Sequence, residues 1–443
     1  MKKRIVSLLF TLVYLGLCLV PAVGLMLGGA ARSGANEVLA VMPSLTRRDG
    51  TLNGSYLSGL ADYIGDRFFL RQEFVTAWAR LNAALFHSSV TEDVILGDDG
   101  WLYFAPTLAD YTGSDPMSER ELWCAARTLC LLQEYAEGRG GEFLFAVAPN
   151  KNSLYNDAMP AYPRSGDASN ADRLFALLDG MDVNYVNLFA VFAARDETLY
   201  FRTDSHWNGR GAALAADALL DALGRESAWF DAPFAADEHT GDLYEMLYPA
   251  GDGREPDMVY AGAIDYSADT DNVNAVTINT AGSGEGTLLM YRDSFGRNLY
   301  PYLAASFENA VFSRKNDYDP TAMADGGALI VELVERNLRY LNANVPSLPA
   351  PERDASLADG ARLAGTVSMD IRAGKDGLVT VSGTFGELAP DADSPVYLLA
   401  GDRLFEAVPT PQGFSARLSE DAVSSLAAVF TADGETVRLD NIM

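Results

Sequence analysis

Between residues 120 and 341, short apolar segments alternate with helical segments, and this alternation restricts the fold more than any other feature of the chain. Residues 143–147 form a continuous apolar run, which is typical of a parallel strand buried on both faces. Residues 287–290 and 328–334 repeat the pattern, whereas residues 119–137 carry apolar residues at helical spacing. The alternation predicts an α/β fold in which helices cover both faces of a mostly parallel sheet.

A change of period near residue 345 divides the chain of 443 residues into two folded parts. The α/β pattern assigns residues 33–345 to one larger domain. Residues 346–362 begin with a proline-rich segment and are predicted to form a linker. Residues 363–443 contain short alternating segments separated by Gly-Asp turns, which predicts a small all-β, sandwich-like accessory domain.

The first 32 residues have the composition of an export segment. A basic start is followed by residues 5–31, which contain no charged residue and are numerous enough to span a bilayer. We predict a transmembrane signal anchor at residues 1–32 with a cytoplasmic N-terminus. Cleavage near residues 29–31 is the alternative, and in both cases the remainder of the chain is expected outside the cytoplasm.

The overall composition argues against several classes of function. The formal net charge of −28 disfavours nucleic-acid binding, because such a surface repels phosphate. A neutral or locally held polysaccharide is compatible with it. The three cysteines form no C-x-x-C motif, and only three histidines are present (His87, His206 and His239), so we expect neither a metal site nor a cofactor.

Two polar segments of the α/β region carry residues suited to serine chemistry. In residues 203–208 (Thr-Asp-Ser-His-Trp-Asn), Asp204 and His206 are two positions apart and so lie on the same side of an extended segment. The carboxylate can then hold the imidazole in one tautomer, as the orienter and base of a Ser-His-Asp system do. The best candidate nucleophile is Ser294, which follows the strand predicted at residues 287–290.

The surroundings of these residues suggest how a substrate would be held. Ser294 at a strand-to-helix turn would project from the sheet edge, and adjacent backbone N–H groups, including that of Phe295, would face an oxyanion. Lys151 follows the strand at residues 143–147, at the edge where open α/β sheets bind ligands. The remaining candidate binding residues flank the catalytic candidates in sequence: Trp207, Asn208 and Arg292.

Structural interpretations of the same residues remain open. His206 can be a buried structural histidine beside Trp207, and Ser294 can cap the helix that follows it. Trp207 fits packing better than sugar stacking, and Lys151 can be a solvated loop residue. Catalysis therefore depends on whether the fold brings Ser294 and His206 into one cleft.

Four short segments give the chain a resemblance to a known family: residues 66–71, 97–103, 204–208 and 292–296. Through them, and through Glu335-Arg336, the chain resembles the alginate O-acetyltransferase-like branch of the SGNH hydrolase superfamily, including the DHHW family of bacterial exported proteins. The order of the segments agrees with that branch, as does the apolar N-terminal segment.

The resemblance implies a flavodoxin-like, three-layer α/β/α fold and a catalytic triad. Carried onto this sequence, Ser294 is the nucleophile, His206 the base and Asp204 the orienter. Ser205 stands where DHHW proteins have their first histidine, a form that is closer to the alginate-type motif. The resemblance also implies that Tyr300, six residues after the serine, binds acyl or sugar groups.

The leading expectation is an extracytoplasmic O-acetyltransferase that modifies hydroxyls of a cell-surface or secreted polysaccharide through an acyl-enzyme. The resemblance implies a membrane-bound O-acyltransferase as partner and acetyl source, because an exported enzyme has no acetyl-CoA. A carbohydrate acetylesterase with the same triad and a non-catalytic surface protein with the same fold are the alternatives. The C-terminal domain either binds polysaccharide or acts as a spacer.

Overall fold

The computed structural model describes residues 2–26, 39–166, 168–374, 377–423 and 425–441. The amino-terminal part forms helices and one hairpin: α1 (Lys2–Met26), α2 (Tyr56–Arg67), α3 (Arg71–Phe86), β1 (Val94–Leu96), β2 (Leu102–Phe104) and α4 (Leu108–Thr112). Strands β1 and β2 pair antiparallel across the turn at residues 97–101, as the Gly and Asp residues there predict.

The central region alternates strands and helices in the predicted manner. Its elements are α5 (Glu119–Gly138), β3 (Glu142–Ala148), α6 (Lys151–Leu154), α7 (Asn170–Gly180), β4 (Tyr185–Val186), α8 (Leu188–Ala193), α9 (Gly209–Ala222), β5 (Phe234–His239), α10 (Asp242–Leu247), β6 (Glu255–Tyr260), β7 (Tyr266–Ala268), β8 (Thr277–Gly282), β9 (Thr287–Tyr291), α11 (Gly296–Ser306), β10 (Asn309–Ser313), β11 (Ala328–Val334) and α12 (Tyr340–Ala343). Helix α5 begins where its sequence predicts, because Ser118 and Glu121 form a capping box.

The described residues of this region form a seven-stranded sheet in the order β4-β3-β11-β9-β10-β8-β7. The five strands from β4 to β10 are parallel, and β8 and β7 add an antiparallel edge. Alternate side chains of β3 enter two different cores. Phe143 and Phe145 pack with α5 and α7, whereas Leu144 and Ala146 pack with α9 and α11. The predicted α/β fold with helices on both faces is therefore confirmed.

The C-terminal region is rich in β-structure, as predicted. Its strands are β12 (Glu352–Arg353), β13 (Arg362–Val367), β14 (Met369–Ala373), β15 (Leu378–Thr384), β16 (Val396–Ala400), β17 (Arg403–Thr410), β18 (Gly413–Ser419), β19 (Leu426–Ala432) and β20 (Glu435–Asn441). Strand β17 packs against α5, where the buried carboxylate of Glu406 accepts hydrogen bonds from Arg127 and Arg353. The two regions are thus joined by a network of charge-assisted hydrogen bonds.

The membrane anchor predicted at residues 1–32 has no support in the structure. Among the described residues, no helix is both long enough and apolar enough to cross a bilayer. Residues 27–32 of the predicted segment lie outside the described residues.

The apolar residues of helix α3 recur at helical spacing, a pattern that predicts packing on the core, but the structure leaves them exposed. Trp78, Leu81 and Leu85 are 58%, 48% and 64% exposed, and the buried side of the helix carries Thr76 and Ala79 instead. Helical spacing identifies one face of a helix but does not say what covers that face.

Residues 230–285 are acidic and rich in Gly, Asp and Tyr, a composition that predicts an irregular loop, but the structure forms a two-stranded β-ribbon there. Strands β5 and β6 pair antiparallel over six residues each, and α10 lies between them in the chain. The mostly exposed sequence of β5, Phe-Ala-Ala-Asp-Glu-His, lacks the apolar alternation by which strands are recognised. The ribbon formed by β5 and β6 borders the candidate site, which it contacts through His239 and Glu255.

Candidate active site

Three neighbouring parallel strands deliver polar residues to the carboxyl edge of the sheet. Strands β3, β11 and β9 lie side by side, and their ends lead into Lys151, Glu335 and Ser294. Ligand sites of open α/β sheets lie at this edge, because the loops that follow the strands converge there. The edge chosen from the sequence is therefore where the candidate residues meet.

The turn that carries Ser294 is held by the residue before it. Asp293 Oδ1 accepts the Phe295 N–H at 2.9 Å, and Asp293 Oδ2 accepts the Val334 N–H and Asn337 Nδ2 at 2.8 Å each. These bonds tie the turn both to itself and to the end of β11. Ser294 is thereby fixed, half-buried, between β9 and α11.

The loop that carries Asp204 and His206 is fixed from two sides. Lys151 Nζ donates to three backbone carbonyls of this loop, those of Phe201, Arg202 and Asp204, at 3.2, 3.0 and 2.7 Å. On the other side, the carboxylate of Glu255 accepts the N–H groups of residues 202 and 203 at 2.7 and 2.8 Å. The apolar sequence Leu-Tyr-Phe at residues 199–201 predicts a short strand, but the structure has only an isolated bridge there, between residues 200 and 207, which closes the loop.

Ser294, His206 and Asp204 form one hydrogen-bonded series. His206 Nε2 lies 2.9 Å from Ser294 Oγ, and His206 Nδ1 lies 2.7 Å from Asp204 Oδ1. Burial raises the pKa of Asp204, but hydrogen bonds from His206 and His239 outweigh burial and hold the pKa well below its usual value. An ionised Asp204 accepts the Nδ1–H of His206, which leaves Nε2 free to accept the Ser294 proton.

The structural alternatives for these residues do not account for the contacts. His206 is buried, yet its outer nitrogen is engaged by a serine hydroxyl and not by a backbone group. Ser294 does not cap α11, because the N-cap position is occupied by Phe295 and has no side-chain hydrogen bond. Both side chains are therefore directed towards each other, although 88 positions separate them.

Two further residues join the site and were not identified from the sequence. His239 Nε2 lies 2.8 Å from Asp204 Oδ2, and the Asp242 N–H donates to the same oxygen at 3.1 Å. Asp242 accepts the hydroxyl and the N–H of Ser205 at 2.6 and 2.7 Å. Burial and the charge of Asp204 raise the pKa of Asp242. The scarcity of histidine was the signal that could have identified His239.

Several residues predicted to bind substrate instead stabilise the fold around the site. Trp207 is fully buried, stacked on Phe192 and edge-on to Phe295. Asn208 caps α9 by accepting the Gly211 N–H. Lys151 is only 4% exposed and holds the loop from behind.

The candidates around the serine require similar corrections. Arg292 is buried, donates to the Val273 carbonyl, and lies over the ring of Tyr300; burial and Arg314 lower its pKa to about 10. Tyr300 is 4% exposed within the core, with its hydroxyl 3.5 Å from that of Tyr266. Side chains on the inward face of a helix after a strand enter the core, and a sequence motif does not reveal this.

Phe295 contributes to the site by packing and not by its amide. Its N–H already donates to Asp293, so this group is not free to donate to an oxyanion as predicted. Its ring lies 4.8 Å from that of His206 and supports the imidazole. Among the described residues, no backbone or side-chain acceptor contacts the N–H groups of Ser294 and Gly296, and we therefore take these two groups as the candidate donors to an oxyanion.

One cluster has the composition of a metal site. Ligand atoms of Asp204, His206 and Asp242 lie within 4.8 Å of one another. These atoms are engaged in hydrogen bonds with each other and with Ser205 and His239, so the donor set is satisfied without an ion. We assign no metal ion to this cluster.

Comparisons with known proteins agree with the family resemblance. Residues 94–272 match the family model described as SGNH hydrolase-like domain, acetyltransferase AlgX. This range includes Asp204, His206 and His239 and ends before Ser294. The chain is 25% identical over 183 residues to the probable alginate O-acetylase AlgJ of Pseudomonas putida, covering 40% of this chain and 45% of that protein. The chain spans about half the length of the curated relatives it matches.

Two solved structures are also similar. Bacillus cereus PatB1 has a TM-score of 0.43 and 18% identity, covering 56% of this chain and 99% of that chain. A DHHW family protein from Eubacterium siraeum has a TM-score of 0.39 and 16% identity, covering 51% of this chain and 90% of that chain. The resemblance inferred from the sequence motifs is confirmed by the family model and the curated relatives.

Proposed function

We propose that the chain is an SGNH-type O-acetyltransferase in which Ser294 carries the acetyl group between donor and acceptor. One observation carries the proposal: the uninterrupted series of hydrogen bonds from Ser294 Oγ through His206 to Asp204. The family model and the name of the curated relative support the same class of reaction.

In the first half-reaction, His206 Nε2 takes the proton of Ser294 as Oγ attacks the acetyl carbonyl carbon. The carbonyl oxygen becomes an oxyanion, within reach of the N–H groups of Ser294 and Gly296. The intermediate collapses when the donor oxygen departs with the proton held by His206. The product is an acetyl ester on Ser294 and the free donor alcohol.

In the second half-reaction, an acceptor hydroxyl gives its proton to His206 and attacks the acetyl carbon of the acyl-enzyme. Ser294 Oγ then leaves and recovers the proton from His206. Asp204 stabilises the imidazolium in both halves and remains ionised throughout. Water in place of the sugar hydroxyl would give acetate, which is the esterase alternative.

The acceptor in this proposal is a cell-surface or secreted polysaccharide. The net charge of −28 favours a neutral polymer over a polyanionic one, because like charges repel during association. The proposal includes an extracytoplasmic location and a membrane-bound acyltransferase that brings acetyl groups across the membrane. The acyltransferase partner follows from the resemblance alone, whereas the location follows from the resemblance and from the apolar N-terminal sequence.

Transfer to an oligosaccharide tests the proposal. Purified full-length protein would be incubated with p-nitrophenyl acetate and with a neutral or a polyanionic oligosaccharide, and the acetylated sugar measured by mass spectrometry. We expect transfer to the neutral sugar by wild type and loss of at least about 10³-fold in Ser294→Ala. The exposed Ser267→Ala variant is the matched control. Acetate without acetylated sugar would favour the esterase, and no acetyl turnover at all would favour the non-catalytic alternative.

A further inference from the structure

The carboxylate of Asp204 is shared by two imidazoles. Its Oδ1 lies 2.7 Å from His206 Nδ1 and accepts the backbone N–H of His206 at 2.9 Å. Its Oδ2 lies 2.8 Å from His239 Nε2 and accepts the Asp242 N–H at 3.1 Å. Each oxygen therefore has two donors, and one imidazole lies on each side of a buried carboxylate.

His239 is held in this position by its surroundings. Its ring stacks on Phe201 at 4.0 Å, and its position at the end of β5 is opposite Glu255 of β6. Because Asp204 is ionised and can only accept, His239 Nε2 must carry a proton in both the neutral and the charged form of the ring. The side chain is 26% exposed, so solvent can exchange the second proton.

The charged groups around His239 are mostly acidic. Asp204 faces it from the catalytic loop, Glu255 and Asp257 from β6, and Asp242 from α10 lies against the same carboxylate oxygen. Two basic side chains lie nearby: Lys151 behind that loop, and Arg254, which pairs with Glu238 beside His239. Burial lowers the pKa of His239, but the hydrogen bond and charge of Asp204, with Asp257 and Glu255, raise it above the usual value overall. The charged form of His239 is therefore accessible near neutral pH.

We propose that His239 is a positioning residue for the acyl-transfer reaction, which holds Asp204 against His206 and, when charged, shares the negative charge of Asp204. This inference rests on the proposed function. The hydrogen bond to Oδ2 restrains rotation of the carboxylate, so that Oδ1 stays directed at His206. A charged His239 offsets part of the negative charge of Asp204, the charge that stabilises the imidazolium during acyl transfer.

Two substitutions separate these effects. His239→Gln places an amide N–H near the former Nε2 and keeps the hydrogen bond without the charge. His239→Phe keeps a ring against Phe201 but removes both the donor and the charge. His87 is 75% exposed in its side chain and lies outside this cluster, so His87→Gln is the matched control.

The kinetic test is the pH profile of acylation by p-nitrophenyl acetate. We expect His239→Phe to lower the plateau kcat about tenfold or more, because a displaced Asp204 carboxylate no longer holds the His206 ring in the right orientation. His239→Gln is expected to keep the plateau within about twofold and to move the acid limb of kcat/KM up by about one to two pH units. A shift of one to two pH units corresponds to about 1.4–2.7 kcal/mol of electrostatic interaction between the two imidazoles. A wild-type plateau in His239→Phe together with a wild-type acid limb in His239→Gln would overturn the proposal.

An NMR titration provides a readout that does not depend on activity. With three histidines in the chain, imidazole signals are assigned by comparing wild type with His239→Gln and His87→Gln. The His239 ring is expected to titrate above about 6.5, the ordinary value for histidine; a midpoint at or below that value would contradict charge sharing. If wild type forms no acyl-enzyme while His239 titrates as expected, the proposed function fails and the Asp204–His239 contact stands.

Discussion

Replacing Lys151 with methionine tests how the loop of Asp204 and His206 is held in place. Lys151 is 4% exposed, and its ammonium group donates to three carbonyls of residues 201–204. Burial lowers its pKa from 10.5 to about 7, although the charges of Asp204 and Asp242 oppose this change. Methionine fills a similar volume and removes all three donors.

The expected loss of stability follows from two opposing effects. Leaving a buried carbonyl without a partner costs about 1–3 kcal/mol, so three of them cost roughly 6 kcal/mol. A lysine pKa displaced from 10.5 to about 7 means that the fold bears a cost of about 4 kcal/mol for this residue at pH 7, which methionine relieves. We therefore expect Lys151→Met to lower the free energy of unfolding by about 2 kcal/mol at pH 7.

The pH dependence gives a sharper test than the magnitude. Between the folded pKa of about 7 and the unfolded value of 10.5, the unfolded chain binds more protons at Lys151 than the folded chain. Stability of the wild type therefore rises with pH through this window, and the rise is absent in Lys151→Met. The difference between the two proteins should grow by about 2 kcal/mol from pH 7 to pH 9.

Urea unfolding at pH 7 and pH 9 measures this difference, and acylation by p-nitrophenyl acetate measures its effect on the loop. The acylation rate should fall by about 10²-fold if the loop moves by roughly 1 Å. Lys315→Met is the control, because the Lys315 side chain is exposed. Equal destabilisation by Lys151→Met at both pH values would refute the interpretation that Lys151 is a buried lysine with a lowered pKa that holds the loop.

Two further substitutions test contacts away from the catalytic atoms. Gly241 has φ −73° and lies against the loop that carries Asp204 and His206, where a Cβ would be 2.1 Å from the Thr203 carbonyl oxygen. Gly241→Ala should therefore lower the free energy of unfolding by about 1–3 kcal/mol and slow acylation. Unchanged kinetics would show that the loop tolerates displacement. Glu406→Gln removes one of the two carboxylates that Arg127 and Arg353 share at the α5–β17 contact and leaves them Glu134. The loss of these charge-assisted hydrogen bonds should cost about 2–3 kcal/mol in denaturant unfolding. A cost below about 1 kcal/mol would mean that this network does not hold the C-terminal region.

Features that depend on local pattern were predictable from the sequence. The buried strands β3 and β11 are recognisable because both of their faces are covered and both therefore require apolar residues. Ser294 and His206 could be paired because Ser294 follows a strand that ends at the ligand-binding edge of the sheet, and because His206 lies two positions from Asp204. Few histidines compete for the role of base. The starts of α5 and α9 follow from their capping residues.

Features that depend on tertiary contacts were not predictable. Tyr300 and Trp207 lie next to catalytic candidates in sequence, but their side chains pack into the core, where packing and not sequence proximity decides their direction. His239 was missed because strands β5 and β6 are stabilised by pairing with each other and have little apolar pattern. The exposed face of α3 likewise shows that an apolar stripe does not specify its own partner.

The central claim is that Ser294 and His206 act together on an acetyl group, and mapping the acetyl group on the protein tests it most directly. Wild type, Ser294→Ala and His206→Gln would be quenched in acid within seconds of mixing with p-nitrophenyl acetate, digested and analysed by peptide mass spectrometry. We predict one stoichiometric acetyl ester on the peptide that contains residue 294 in wild type, and none in either variant. An ester of equal yield in His206→Gln, or an acetyl group located on another residue of the wild type, would contradict the account.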